Sequence, residues 1–140
     1  MRLELDENPS PADFRVILDG VRGFNRQQTN NEAPRPIACF LRDEQGQIVG
    51  GVQAGLWGRS AHIDALWVDE KLRGQGYGSQ LMNAIAKYAV DHGHPLIYLE
   101  TASFQALPFY EGLGYRIFGE LPDITKGHTL YFLCKDLSAQ

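Results

Sequence analysis

Between Val68 and Leu81 the chain reads VDEKLRGQGYGSQL, with Gly74, Gly76 and Gly78 alternating behind Arg73 and directly ahead of an apolar helical stripe. No other segment constrains the fold as much. A glycine loop between a strand and a helix lets the backbone turn sharply and leaves the first amides of the helix without intrahelical partners. Those amides, at the positive end of the helix dipole, attract an anion. Arg73 adds a charge-assisted donor. A Walker A loop needs a lysine between its last glycine and the hydroxyl residue, but Gly78 and Ser79 are adjacent. A dinucleotide fingerprint needs its last glycine where Ser79 stands. Glu100 does lie about 20 residues on, where a ribose-binding acid would be wanted. The segments ahead of the loop read as antiparallel hairpins, so that topology fails as well. What remains is R-G-x-G-x-G at a strand-to-helix turn, which suits a pyrophosphate.

The rest of the chain builds a mixed α/β frame around this loop. Met1–Asp6 alternates apolar and polar residues as a strand would. Ser10-Pro11 is an N-cap followed by a first-turn proline, and Phe14, Ile17, Leu18, Val21 and Phe24 carry a helix to about Gln27. Thr29–Pro36 reads as a loop. Ile37–Leu41 and Ile48–Leu56 form a hairpin about Asp43–Gly46, and Ala61–Val68 follows as the fourth strand. Leu81, Met82, Ile85, Ala86 and Ala89 are the buried stripe of the helix after the loop, which ends near Gly93. Leu96–Glu100 is a fifth, nearly all-apolar strand. Gln105–Leu113 reads as a short helix. Tyr115–Glu120 and Thr129–Lys135 close the sheet around a Pro122/Gly127 loop. Trp67 alternates with Leu66 and Val68, which places it under a helix, whereas Trp57 could equally line a pocket or staple its hairpin.

With 140 residues, 44% of them hydrophobic, the chain reads as one domain over 1–140. Its formal net charge of -4 argues against a nucleic-acid partner. The first residues carry no basic-then-apolar signal, and no apolar run approaches the roughly 18 residues of a membrane span, so a cytoplasmic protein with no membrane partner is expected. Cys39 and Cys134 lie far apart and read as two reduced, buried thiols. The four histidines, His62, His92, His94 and His128, lack zinc-type spacing, so no metal is expected.

LWVDEKLRGQGYGSQL resembles motif A of the GNAT superfamily of N-acetyltransferases, whose Q/R-x-x-G-x-G/A pattern is met by Arg73, Gly76 and Gly78. SFQALPFYEGLGY resembles the superfamily's next motif, an N-x-x-A-x-x-x-Y-E-x-x-G-F/Y helix, at Ala106, Tyr110, Glu111, Gly114 and Tyr115. With the matching strand order, the likeness covers about Ile37 to Leu137. It implies a mixed, twisted sheet of six or seven strands, helices on both faces, with strands four and five splayed. It further implies acetyl-CoA as donor, its pyrophosphate on Arg73, Gly74, Gln75, Gly76, Tyr77, Gly78 and Ser79. The pantetheine arm would pair with backbone groups of Leu66, Trp67 and Val68 in the splay. Tyr110 would face the CoA sulfur. Ser103 departs from the pattern: it stands where the superfamily has an asparagine that contacts the pantetheine arm, and a hydroxyl lacks the amide's pair of roles. A homodimer is common on this scaffold.

Acetyl transfer to an amine requires a neutral amine, a polarised thioester and a stabilised leaving thiolate. An alkylamine of pKa about 10.4 is neutral only about once in 2,500 molecules at pH 7, a cost of roughly 4.6 kcal/mol. A base must help remove the proton. His62 and Asp64, two apart, share one face of an otherwise apolar strand. Some arylalkylamine-acetylating members of the superfamily carry histidines at these two positions as a proton relay. Asp64 is the candidate base or amine anchor with His62 assisting, although a carboxylate of reference pKa near 3.9 needs burial to act as a base. His128, before the last strand, borders the expected acceptor mouth. The leading reading is direct transfer to a small-molecule amine or an exposed protein amino group. The alternative is a non-catalytic acyl-CoA-binding module, which would need the glycine loop but not Tyr110 and Asp64.

Overall fold

From Pro34 onward, alternating apolar residues and short turns build a six-stranded sheet in the order β1-β2-β3-β4-β6-β5. The strands are β1 (Arg35–Arg42), β2 (Ile48–Trp57), β3 (Ser60–Val68), β4 (Leu96–Ala102), β5 (Arg116–Thr125) and β6 (His128–Asp136). All neighbours are antiparallel except β3 and β4, which run parallel because a helical crossover joins them. That crossover is α2 (Tyr77–Asp91), and α3 (Leu107–Gly112) follows β4. The computed structural model describes residues 1–30 and 32–138, so Asn31, within the loop expected at Thr29–Pro36, lies outside the described residues. The chain divides into two compact units, Met1–Ala33 and the residues from Pro34 onward.

The first unit carries α1 (Pro11–Gln28), whose start is set as the sequence predicts: the Ser10 hydroxyl accepts from the Asp13 amide at 3.1 Å. Met1–Asp6, expected as a strand, forms no regular element. Period-two alternation makes a strand only where a neighbouring backbone supplies hydrogen bonds.

In the second unit Val52, Leu56, Ile97, Leu99 and Leu133 present one face of the sheet to Leu81, Met82 and Ile85 of α2, all essentially buried. Tyr110 and Tyr115 join the same core, so α2 and α3 pack on one side. β5 runs straight through Pro122 to Thr125, and the expected loop shrinks to a turn at Lys126-Gly127. Proline is tolerated there because β5 is the edge strand and its pairing slips between Leu121 and Thr125.

Candidate active site

The site is set by two interruptions of the sheet. Parallel pairing of β3 with β4 covers only Ser60/Leu96, Ala61/Ile97 and His62/Tyr98, after which the strands diverge into a fork. On its other edge β3 stays paired with β2, but the register jumps: Gln53 opposes Ala65 and Ala54 opposes Ile63, leaving Asp64 without a partner. This is a β-bulge, which re-aims side chains and reverses the strand's inside–outside phase. Ala61 and Ile63 point into the core before it, and Leu66 and Val68 pack against the core after it. Trp67 is therefore turned outward and is 49% exposed, not packed under a helix as simple alternation predicts.

Ahead of α2, Gly74 and Gly76 take positive φ values of 76° and 87°, and a Cβ built on either would meet nothing within 4 Å. The loop is thus open on the side where a ligand would approach. Gly76 serves as the N-cap of α2 with no side chain capping it, so the first amides of the helix are left to other partners. Gly78 does a different job: it is helical, and the Phe109 ring lies 3.3 Å from where its Cβ would be. Arg73 folds across the loop mouth and donates from Nε to the Val68 carbonyl at 3.0 Å. The result is a cavity of about 500 Å³ lined by Leu66, Val68, Arg73, Gly74, Gly76, Tyr77, Gly78 and Ser79, with Phe109 across from them. Gln75 turns away, its side-chain amide donating to the Lys71 carbonyl at 3.4 Å. With Arg73 and the uncapped start of α2 in its lining, the cavity suits an anionic ligand.

A second cavity, about 260 Å³, fills the fork itself. Asp64 and Ala65 line it from β3, Glu100 and Thr101 from β4, and Gln105 and Tyr110 from the segment after β4. Leu66 and Ala106 line both cavities, so the glycine cradle and the fork adjoin. Tyr110 is 8% exposed, and burial raises its phenol above the usual range, which keeps it protonated.

His62 sits on the last paired rung of the fork and bridges it. Its Nδ1 is 2.7 Å from an Asp64 oxygen and its Nε2 is 2.7 Å from a Glu100 oxygen. Burial disfavours the charged ring, but the hydrogen bonds and charges of Glu100 and Asp64 together outweigh it, and the His62 pKa lies above its ordinary value. Asp64 itself is half exposed, so the burial a carboxylate base would need is missing. Glu100 was considered from sequence only as a ribose ligand, since nothing in a linear reading places it against residue 62.

Ser103 and His128 meet at the end of the sheet, away from the cradle. The Ser103 hydroxyl accepts from the Thr129 amide at 3.1 Å and lies 3.2 Å from His128 Nδ1. The Phe104 ring packs edge-on against His128, with ring centres 4.9 Å apart. Ser103 does not line the cradle, so its hydroxyl serves the β4–β6 junction.

The family model described as the acetyltransferase (GNAT) family matches residues 5–115. The chain is 37% identical over 119 residues to blasticidin-S acetyltransferase of Streptomyces morookaense, covering 84% of this chain and 88% of the relative. Its backbone resembles the crystal structure of an acetyltransferase from Bacillus cereus ATCC 14579, with a TM-score of 0.81 and 36% identity over 96% of this chain and 98% of the other. It is also similar, at a TM-score of 0.63 and 27% identity, to a protein of Bacillus anthracis solved in complex with acetyl coenzyme A; there 72% of this chain covers 62% of the other. Acetyltransferases of this family take their acetyl group from acetyl-CoA. With the forked sheet and the glycine cradle beside it already in place, these matches make the chain a member of the GNAT family and an N-acetyltransferase.

Proposed function

We propose that the protein transfers an acetyl group directly from acetyl-CoA to the primary amine of a small cationic molecule, with the fork as the acceptor pocket. The observation that carries the reading is that the two cavities adjoin, sharing Leu66 and Ala106, with ionisable side chains gathered at the fork end. When bound, acetyl-CoA supplies the activated thioester. Backbone amides from Arg73 to Ser79 hold its diphosphate, and the β3 edge at Leu66, Trp67 and Val68, unpaired on the β4 side, receives the pantetheine amides. Asp64 anchors the acceptor ammonium, and His62 takes up its proton. Tyr110 donates a hydrogen bond to the departing sulfur. Its phenol is a weaker acid than a thiol, so the proton follows the developing charge and does not lead it. His128 is the weaker acceptor-side candidate, since it lines neither cavity. Two carboxylates at the fork favour a cationic acceptor over a neutral one. The relative named for blasticidin S makes that compound one probe.

Thiol release from acetyl-CoA across an amine panel that includes blasticidin S and spermidine tests this reading. Turnover of at least one cationic amine is expected. Calorimetry of coenzyme A with the wild type and Arg73→Glu runs alongside, and charge reversal should weaken binding by tenfold or more. Binding without turnover on any amine would reduce the protein to an acyl-CoA-binding module, and unchanged binding by Arg73→Glu would remove the cradle from the reading.

A further inference from the structure

The fork holds more than the two residues that the strand pattern of β3 singles out. Glu100 comes from the opposite strand, 38 positions away in sequence, and closes the second side of the imidazole. A carboxylate only accepts hydrogen bonds, and a neutral imidazole has a single N–H. With carboxylate oxygens 2.7 Å from both ring nitrogens, the neutral ring leaves one contact as lone pair against lone pair, whereas the imidazolium satisfies both. Among the described residues, the charged groups acting on the ring are these two. On β3 it meets Asp64, on β4 Glu100 and the Tyr98 ring with centres 4.7 Å apart, and the β2 residue opposite is Gly55. β6 aligns Phe132 with Glu100 and Cys134 with Tyr98, neither of which is charged at neutral pH.

We propose that Glu100 is the positioning residue of the proton acceptor: it grips the Nε2 side of His62 while Asp64 grips the Nδ1 side, so that the acceptor's proton is stored on a doubly anchored imidazolium. The inference rests on the acetyl-transfer reading for its catalytic meaning, but the clamp is a property of the chain alone. It assigns the two carboxylates unequal duties. Asp64, on the bulge and half exposed, can release the ring to meet an incoming ammonium. Glu100, on a strand paired along its full length with β6, stays in place and fixes the ring's orientation. The sign of the pH effect follows. His62 gains proton affinity from two anions, so the neutral, proton-accepting ring is depleted below its raised pKa, and activity climbs as pH rises through it. Without the Glu100 charge the ring loses its proton at lower pH and stores one less firmly.

The test compares the wild type with Glu100→Gln and Glu100→Asp, without acetyl-CoA and then with it. Imidazole NMR titration, with the His62 signal identified by its loss in His62→Asn, should show the Glu100→Gln ring titrating at lower pH than the wild type and Glu100→Asp lying between. Steady-state rates with blasticidin S, or with spermidine if that turns over faster, should show the acidic limb of kcat/KM moving to lower pH with the ring. The high-pH plateau should fall on the order of tenfold, less than the roughly 10² or more expected for loss of the proton acceptor itself. A Glu100→Gln ring that titrates with the wild type overturns the clamp, as does a lower plateau with an unmoved acidic limb. Calorimetry of coenzyme A separates the two failures. Loss of binding or of all turnover in the wild type sinks the acetyl-transfer reading, and the ring titration still decides the clamp.

Discussion

Among single residues, the proposed reaction divides its proton work between Tyr110 and His62 by environment. Tyr110 is buried in the core of α3 and the sheet, and desolvation keeps its hydroxyl protonated across the working range. It can donate a hydrogen bond but does not supply a titrating limb. Tyr110→Phe should lower kcat by roughly 10²–10⁴ while leaving the affinity for acetyl-CoA near the wild-type value, because its hydroxyl is needed as charge grows on sulfur. Pre-steady-state rates with a calorimetric control check this, and an unchanged kcat removes Tyr110 from the chemistry. The motif around Tyr110 was legible through its resemblance to the superfamily's helix, whereas Glu100 was not. Its role depends on a cross-strand contact, and no periodicity reports which residues a parallel pair brings side by side.

For whole elements, the α2 entrance shows how three neighbouring glycines differ. Gly74 and Gly76 are left-handed, where a Cβ is strained whatever the space. Gly78 is already helical, and alanine there gains up to about 1 kcal/mol of helix propensity. The new methyl would press on the Phe109 ring at 3.3 Å, and that ring lines the cradle. Gly78→Ala should therefore keep or raise the melting temperature yet weaken coenzyme A binding several-fold. A variant that both binds normally and melts normally would show that Phe109 moves aside freely. The first hairpin, β4 and α2 were readable because each rests on local periodicity and turn chemistry. The bulge at Asp64 was missed, although its trace stands in the sequence: Ala61 and Ile63 are apolar at odd positions, Leu66 and Val68 at even ones. That slip is what turned Trp67 outward.

The chain as a whole carries 17 acidic against 13 basic residues, a net charge of -4. The field this produces is weak, and it is reinforced at the fork by Asp64 and Glu100. Raising the ionic strength from about 0.01 M to 0.15 M shortens the screening length from about 30 Å to about 8 Å, so KM for a dicationic acceptor should rise several-fold with kcat little changed. A salt-independent KM would mean that recognition is carried by short contacts alone. The Met1–Asp6 segment marks the opposite limit of sequence reading: its alternation is sound, yet alternation alone does not make a strand.

From Ile63 to Val68, β3 presents a row of backbone groups without a strand on its β4 side. Such an edge is a template for any other extended chain, including a second molecule at high concentration. The natural guest of that edge would then be more than a reactant. Cells or buffers rich in the thioester carrier would keep the protein dispersed, and starving it of that carrier would expose a sticky seam through its middle.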